Sequence, residues 1–205
     1  MLMDDLQQAF SALMPNDLTV IHQQRVTGGC ISDSCQVLTQ DGEGRQQHWF
    51  AKSNQLSFLD NFKAEADGLE RLAAVSSIAT PQPEAIGADG DRVWLIMQWI
   101  DQGPPANAFF HDFGTGLAEM HRCTSGTRIG LDHDNFLGAA TQVNRPVDRW
   151  IDFVAENRLG FQIRWGADQQ LIDGSLRRGC EEVIDRLDQL LDGRAAETSL
   201  QHGDL

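Results

Sequence analysis

The sequence predicts an α+β protein with a β-rich first lobe, residues 1–101, and a mainly helical second lobe, residues 102–205. Three early segments are typical of strands joined by glycine-containing turns. The apolar run Val93-Trp94-Leu95-Ile96-Met97 indicates a further, buried strand. In the second half the apolar residues recur instead at helical spacing, as Phe113, Leu117 and Met120 do. This change of periodicity separates the two lobes.

The first lobe begins with a predicted amphipathic helix, followed by a three-stranded meander. The helix is indicated by apolar residues at helical spacing, which end at Pro15-Asn16: Leu2, Leu6, Ala9, Phe10 and Leu13. The strands are predicted at residues 18–27, 34–39 and 48–52. Gly28-Gly29 joins the first two, and a polar turn at residues 41–44 joins the second to the third.

The remaining predicted elements are helices, apart from the apolar strand. A helix is expected over about residues 60–75, then extended Pro81-Gln82-Pro83, and the lobe ends near Gly103-Pro104-Pro105. The second lobe has a helix around residues 113–121 and another containing Trp150, Phe153 and Leu159. A last helical face is formed by Val183, Ile184, Leu187, Leu190 and Leu191.

Charge and composition exclude several classes of protein. The 205 residues include 30 Asp and Glu against 16 Lys and Arg, a formal net charge of −14. Such a field repels a nucleic-acid backbone and an anionic membrane surface, so neither partner is expected. No apolar run approaches the roughly 18 residues of a membrane span, and acidic residues near Met1 argue against a signal peptide. We therefore expect a cytoplasmic protein.

The four cysteines, Cys30, Cys35, Cys123 and Cys180, show no C-x-x-C pair and are too sparse for a disulfide framework. No ligand spacing typical of a metal site is present among cysteines and histidines. Cys30 lies beside Gly28-Gly29, where backbone N–H groups that attract an anion would also lower a thiol pKa. We hypothesise that Cys30 is redox-sensitive.

Lys52 and Glu65 are the first candidates for chemistry. Period-two alternation places Lys52 on the face of its strand shared with Phe50, opposite Trp49 and Ala51. Glu65 lies at helical spacing from apolar residues, on a face where an unpaired carboxylate is costly. The alternative is that both are solvated surface charges. Their placement after a glycine-bearing hairpin favours an ion pair between them.

Three further segments complete a possible phosphoryl-transfer site, in which backbone groups cradle phosphates and a base orients the acceptor hydroxyl. Gly28-Gly29 permits close backbone approach to a ligand, although a simple turn has the same pattern. Gln98-Trp99-Ile100 follows the apolar strand, as in a segment linking two lobes. By itself His202-Gly203-Asp204 predicts nothing. Its position after the glycine pair, the Lys52–Glu65 pair and the linking segment is what indicates a catalytic loop. Asp112-Phe113-Gly114 spells a kinase metal-binding triplet, but it precedes His202 and is interpreted as a helix start.

Together these motifs resemble the fructosamine kinase (ketosamine-3-kinase) family, which is related to aminoglycoside phosphotransferases and has a protein-kinase-like fold. The resemblance spans about residues 26–205. It is carried by Thr27-Gly28-Gly29-Cys30-Ile31-Ser32, Phe50-Ala51-Lys52, Glu65, Gly68-Leu69, Leu117-Ala118-Glu119-Met120-His121, Asn135-Phe136-Leu137-Gly138, Gln142, Asn144, Trp150, Phe153, Arg158-Leu159 and His202-Gly203-Asp204-Leu205.

The resemblance implies ATP-dependent phosphorylation of a sugar hydroxyl on a ketosamine, a small glycated amine. It implies that Asp204 is the catalytic base and that Gly28, Gly29 and Lys52 hold nucleotide phosphates. Glu65 would position Lys52. The backbone of Gln98, Trp99 and Ile100 would bind adenine, although Gln98 stands where relatives often have Glu. The first lobe would then bind the nucleotide, and the second would end at the catalytic loop.

The family motif that begins at His202 continues to metal-binding Asn and Asp residues, so the resemblance implies that the Mg²⁺ ligands lie beyond Leu205. For the 205-residue chain itself this predicts an incomplete second lobe and no kinase turnover. Two alternatives remain at this point. One is another small-molecule kinase of the aminoglycoside or choline type, and the other is a non-catalytic nucleotide-binding module.

Overall fold

The computed structural model describes residues 3–15, 17–27, 31–126, 129–191 and 197–203. The chain divides into two compact units, Met1–Met120 and His121–Leu205. This division falls inside a helix rather than after residue 101. The boundary between functional lobes at residues 101 and 102 therefore stays a prediction.

The first unit is built on a five-stranded antiparallel sheet with strand order β1-β2-β3-β5-β4. Its strands are β1 (Thr19–Arg25), β2 (Asp33–Gln40), β3 (Gln46–Gln55), β4 (Pro83–Asp89) and β5 (Arg92–Gln98). Its helices are α1 (Met3–Leu13), α2 (Leu59–Val75) and α3 (Phe109–Cys123), and α3 extends into the second unit. A single 3₁₀ turn, Leu56–Phe58, precedes α2. The predicted meander, the strand at residues 93–97 and the first two helices are confirmed.

Strand β4 was not predicted. Its sequence, Pro-Glu-Ala-Ile-Gly-Ala-Asp, contains one β-branched residue and begins with a proline, so it lacks the pattern typical of a strand. It forms because it pairs with the apolar β5 at the edge of the sheet. Asp112 lies in the first turn of α3, which confirms the interpretation of Asp112-Phe113-Gly114 as a helix start.

Helices cover both faces of the sheet. Alternate residues of β5 point to opposite faces, so Trp94 and Ile96 pack with Leu6 and Phe10 of α1. On the other face, Val93, Leu95 and Met97 pack with Phe62 and Ala66 of α2. All five of these β5 residues are at most 3% exposed. Because β5 is buried on both faces, its sequence is a continuous apolar run rather than an alternation of apolar and polar residues.

Both edge strands are irregular. The pairing of β1 with β2 shifts register between Val20 and His22. The pairing of β4 with β5 shifts between Pro83 and Ala85. At the β1 edge, Gln7 of α1 accepts a hydrogen bond from the Val20 N–H at 2.7 Å and donates to the Leu18 carbonyl at 2.9 Å. These bonds fix α1 to the start of the sheet.

The second unit combines a small hairpin with short helices. Its elements are β6 (Asn135–Leu137), β7 (Ala140–Gln142), α4 (Trp150–Phe153), a π-helical segment (Val154–Gly160), α5 (Phe161–Asp168), α6 (Gly174–Asp185) and α7 (Leu187–Leu190). The predicted helix around residues 150–159 is confirmed and contains the π-helical segment. The hairpin was not predicted, since strands of three residues are too short for a periodic pattern.

The last predicted helical face is interrupted. Arg186, at φ −105° and ψ 3°, separates α6 from α7. Leu187 is buried at 5% exposure, whereas Val183 and Leu190 are 45% and 55% exposed. The predicted single helix is therefore divided into two, α6 and α7, at Arg186.

Cys35 is expected to resist alkylation in the folded protein. It lies buried in β2, and desolvation raises the pKa of its thiol to about 11. At pH 9 the folded protein should therefore react with iodoacetamide at the exposed Cys123 well before Cys35, as measured by peptide mass spectrometry. Because the unfolded thiol ionises near pH 9, the same burial should lower stability as pH rises from about 9 to about 11. Equal labelling rates at pH 9 would contradict the prediction.

Candidate active site

Lys52 and Glu65 form the ion pair that the sequence predicts. Nζ of Lys52 lies 2.5 Å from Oε1 of Glu65, and the two side chains are 27% and 33% exposed. Lys52 is paired with Leu95 across β3 and β5, and Glu65 extends from α2, which packs on that face of the sheet. A lysine ammonium has three N–H donors. Within the described ranges only Glu65 accepts from it, which leaves donors for an anion.

The segment after β5 presents backbone groups at the end of the sheet. The Gln98 N–H is engaged, because it donates to the Gln82 carbonyl at 2.8 Å. The Trp99 ring stacks on Phe50 with centroids 6.2 Å apart, and its Nε1 donates to Asp101 at 3.0 Å. The pairing of Trp49 with Gln98 directs the Trp99 N–H toward β3, and among the residues with described coordinates no backbone carbonyl accepts from the Ile100 N–H. The Ile100 N–H is therefore the one that an adenine ring can use.

Two clefts lie in the first unit. The larger, about 550 Å³, adjoins residues 98–101 and is otherwise lined by the end of α2 and residues between 76 and 82. The smaller, about 300 Å³, lies where the chain enters β2 and is lined mainly by polar side chains: Arg25, Ser32, Asp33, Ser53, Asn54, Gln55 and Arg92. Lys52 and Glu65 line neither cleft. Lys52 and the residues that lead to the 98–100 segment belong to the neighbouring strands β3 and β5 of one sheet.

Several predicted site residues lie outside the described ranges. These are Gly28, Gly29, Cys30 and Asp204, so the predicted phosphate contacts, the redox-sensitive thiol and the catalytic base remain predictions. The approach to Asp204 is described. Gly126 and Thr198 form a β-bridge, and the Leu200 N–H donates to Thr124 Oγ1 at 3.0 Å. Gly203 has φ +90°, which favours glycine immediately before Asp204.

The described residues include no group of three or more His, Cys, Asp or Glu side chains positioned to hold a metal ion. Over the same residues, no helix is long and apolar enough to cross a membrane.

The motif residues of the second unit form one polar network. Asn144 donates from Nδ2 to Asn135 Oδ1 at 2.8 Å, and Gln142 donates to the same oxygen at 3.0 Å. The Asn144 N–H donates to Asp134 at 2.8 Å. Asn144 is 3% exposed. The network therefore satisfies a buried amide and joins the β6–β7 hairpin to the chain that follows it.

Arg158 links this network to the helices. Its guanidinium donates to the Val143 carbonyl at 2.6 Å and to Asn144 Oδ1 at 2.7 Å. It also lies over the Phe153 ring, 4.3 Å from the centroid, and Phe153 stacks on Trp150. Burial lowers the pKa of Arg158 from its usual value. These contacts give the W-x-x-F-x-x-x-x-R pattern a structural explanation.

A sequence profile described as fructosamine kinase matches residues 2–205. The chain belongs to the fructosamine kinase family. The resemblance inferred from the motifs is thereby confirmed, and it favours this family over the aminoglycoside and choline type. Membership of a kinase family implies the use of ATP.

Two curated relatives of the family are longer than this chain. The "Probable ketoamine kinase" of Synechocystis sp. is 32% identical over 203 residues, which cover 98% of this chain and 65% of the relative. "Protein-ribulosamine 3-kinase, chloroplastic" of Arabidopsis thaliana is 31% identical over 182 residues, 88% of this chain and 54% of the relative. This chain thus spans less than two thirds of the length of these curated relatives.

The fold is shown by a solved structure. A crystal structure of a candidate fructosamine-3-kinase from Haemophilus somnus matches with a TM-score of 0.77 at 24% identity, covering 96% of this chain and 63% of that one. At this identity the match supports the fold and not the activity. The predicted α+β, protein-kinase-like fold is confirmed.

Proposed function

We propose that the full-length gene product transfers the γ-phosphoryl group of ATP to a sugar hydroxyl of a ketosamine. The observation that carries the proposal is the Lys52–Glu65 ion pair in a chain of the fructosamine kinase family. A related kinase named for ribulosamine points to the same class of acceptor, a sugar attached to an amine. The reaction would remove glycation adducts from metabolites or proteins.

Each predicted site residue has a definite task in this proposal. Lys52 donates to nucleotide phosphates, and Glu65 holds Lys52 in position from α2. Gly28 and Gly29 bring backbone N–H groups to the phosphates, and Asp204 accepts the proton of the attacking sugar hydroxyl. Charge increases on the transferred phosphoryl group in the transition state, so a fixed cation stabilises it more than the ground state.

The nucleotide base would lie beside the segment after β5. The N–H of Ile100 provides a donor, and the Gln98 carbonyl provides an acceptor. ATP supplies the phosphoryl group when bound. The net charge of −14 favours an acceptor that carries a cationic amine.

The proposal is tested by incubating the full-length protein, ATP and Mg²⁺ with fructosyl-lysine, ribulosyl-lysine, kanamycin or choline. We expect ADP release and a phosphorylated product, detected by mass spectrometry, with one or both of the ketosamines. Unmodified lysine is the matched control, because it has the amine without the sugar. Phosphorylation of kanamycin or choline alone, or of no acceptor, would refute the assignment.

A further inference from the structure

Asn54 lies two residues after Lys52 on the same face of β3, and it holds the start of the chain that enters β2. Its Nδ2 donates to the Ile31 carbonyl at 2.9 Å and to Ser32 Oγ at 3.0 Å. These partners precede Asn54 by 23 and 22 residues. The amide is therefore a tertiary link from the strand of Lys52 to the segment that follows Gly28-Gly29-Cys30.

The Asn54 side chain is oriented by a local bond. Its Oδ1 accepts from the Gln55 N–H at 2.8 Å. This bond fixes which end of the amide is the oxygen, so the NH₂ group points to Ile31 and Ser32. An aspartate at this position keeps the acceptor but loses both donors. The position thus requires an amide for the observed geometry.

The entry to β2 is also held from the opposite face of the sheet. Arg92 Nη2 donates to Asp33 Oδ2 at 2.8 Å and to Ser53 Oγ at 2.7 Å. Ser53 is fully buried. The Val26 N–H donates to the Ser34 carbonyl at 3.0 Å, which continues the pairing of β1 and β2 toward the connection between them. With Asp33 fixed by Arg92, the bonds of Asn54 set the direction of Ser32 and Ile31 relative to Lys52.

We propose that Asn54 is a positioning residue for phosphate binding, which fixes Ile31 and Ser32 at a set distance from the Lys52 ammonium. The inference rests on the proposed function, because it assumes that a nucleotide phosphate binds near Lys52. Asn54 itself touches neither nucleotide nor acceptor. Its contribution is to hold the backbone N–H groups of Ile31 and Ser32 where they and Lys52 can bind one polyphosphate.

The proposal makes a specific prediction about which part of the nucleotide depends on Asn54. Adenosine lacks the phosphates and uses the segment after β5, so its affinity should not depend on Asn54. In the full-length protein, Asn54→Ala and Asn54→Asp should each weaken ATP binding about tenfold, as expected for loss of two hydrogen bonds, and change adenosine binding less than twofold. Isothermal titration with ATP and with adenosine measures both affinities.

The matched control is Gln47→Ala, an exposed amide on the same strand. It should change neither affinity. Equal weakening of ATP and adenosine by Asn54→Asp, or unchanged ATP binding by both Asn54 variants, would overturn the proposal. If the wild-type protein binds adenosine but not ATP, the proposed function is wrong. Titration of the wild-type protein alone shows this, so the result is separate from the test of Asn54.

Discussion

Replacement of Lys52 by methionine is expected to lower kcat/KM of the full-length enzyme roughly 10²–10³-fold, the usual effect of removing one preorganised group that stabilises transition-state charge. Methionine retains most of the apolar stem of lysine, and Lys52 is only 27% exposed, so the packing against α2 should persist. ADP release with a ketosamine acceptor measures the effect. Thermal unfolding of the same samples verifies that the variant is folded.

Lys63→Met is the matched control. Lys63 is also a lysine of the first unit in an ion pair, with Asp60, but these side chains are 59% and 78% exposed. Exposed pairs contribute little, and this one lies on the solvated side of α2. Its loss should leave kcat/KM unchanged. Comparable loss of activity in both variants would show that Lys52 has no special part in the reaction.

Glu65 provides an independent measure of the same pair. Glu65→Gln should lower activity less than Lys52→Met, because the lysine remains. Adding Glu65→Gln to Lys52→Met should then have little further effect, since residues that act as a unit are not additive. Additive losses would indicate that Glu65 acts separately from Lys52.

Replacement of Arg158 by methionine is expected to lower the free energy of unfolding by about 2–3 kcal/mol, because hydrogen bonds to charged groups contribute about that much and their loss leaves buried acceptors unpaired. The affected groups are the Val143 carbonyl and the buried Asn144 amide, together with the Phe153 ring beneath the guanidinium. Urea unfolding of the full-length protein, monitored by tryptophan fluorescence, measures the change.

Arg177→Met controls for the loss of an arginine as such. Arg177 pairs with Glu181 one turn later on α6, and both side chains are about half exposed. We expect no measurable change in the urea midpoint. A midpoint for Arg158→Met that equals the Arg177→Met midpoint would mean that the motif network does not stabilise the second unit.

The sequence predicted those parts of the fold that have a strong periodic signal. Helix α1 and the meander repeat or alternate clearly because each buries a defined face, and β5 is recognisable as a continuous apolar run because both of its faces are buried. Strand β4 and the β6–β7 hairpin have no such signal, since an edge strand is stabilised by its partner and three-residue strands have no measurable period. The break at Arg186 was missed because apolar spacing continues across it.

In the candidate site, the sequence predicts contacts between residues that are close in the chain and that strand or helix periodicity places on a common face. The Lys52–Glu65 pair follows from strand alternation and helix spacing over 13 residues. Asn54 and Arg92 were missed because their partners are distant in the chain: Asn54 lies 22 residues from Ser32, and Arg92 lies 59 from Asp33. Alternation does place Asn54 on the Lys52 face, which is the signal that sequence analysis had available.

The irregular edge strands of the five-stranded sheet affect how the protein behaves at high concentration. A regular, apolar edge is a template on which a strand from another molecule can pair, whereas bulges, prolines and charges prevent it. Here β1 is polar from His22 to Arg25, and β4 begins with Pro83, which has no N–H to donate. With the register shifts in both strands, these residues protect the sheet against edge-to-edge aggregation.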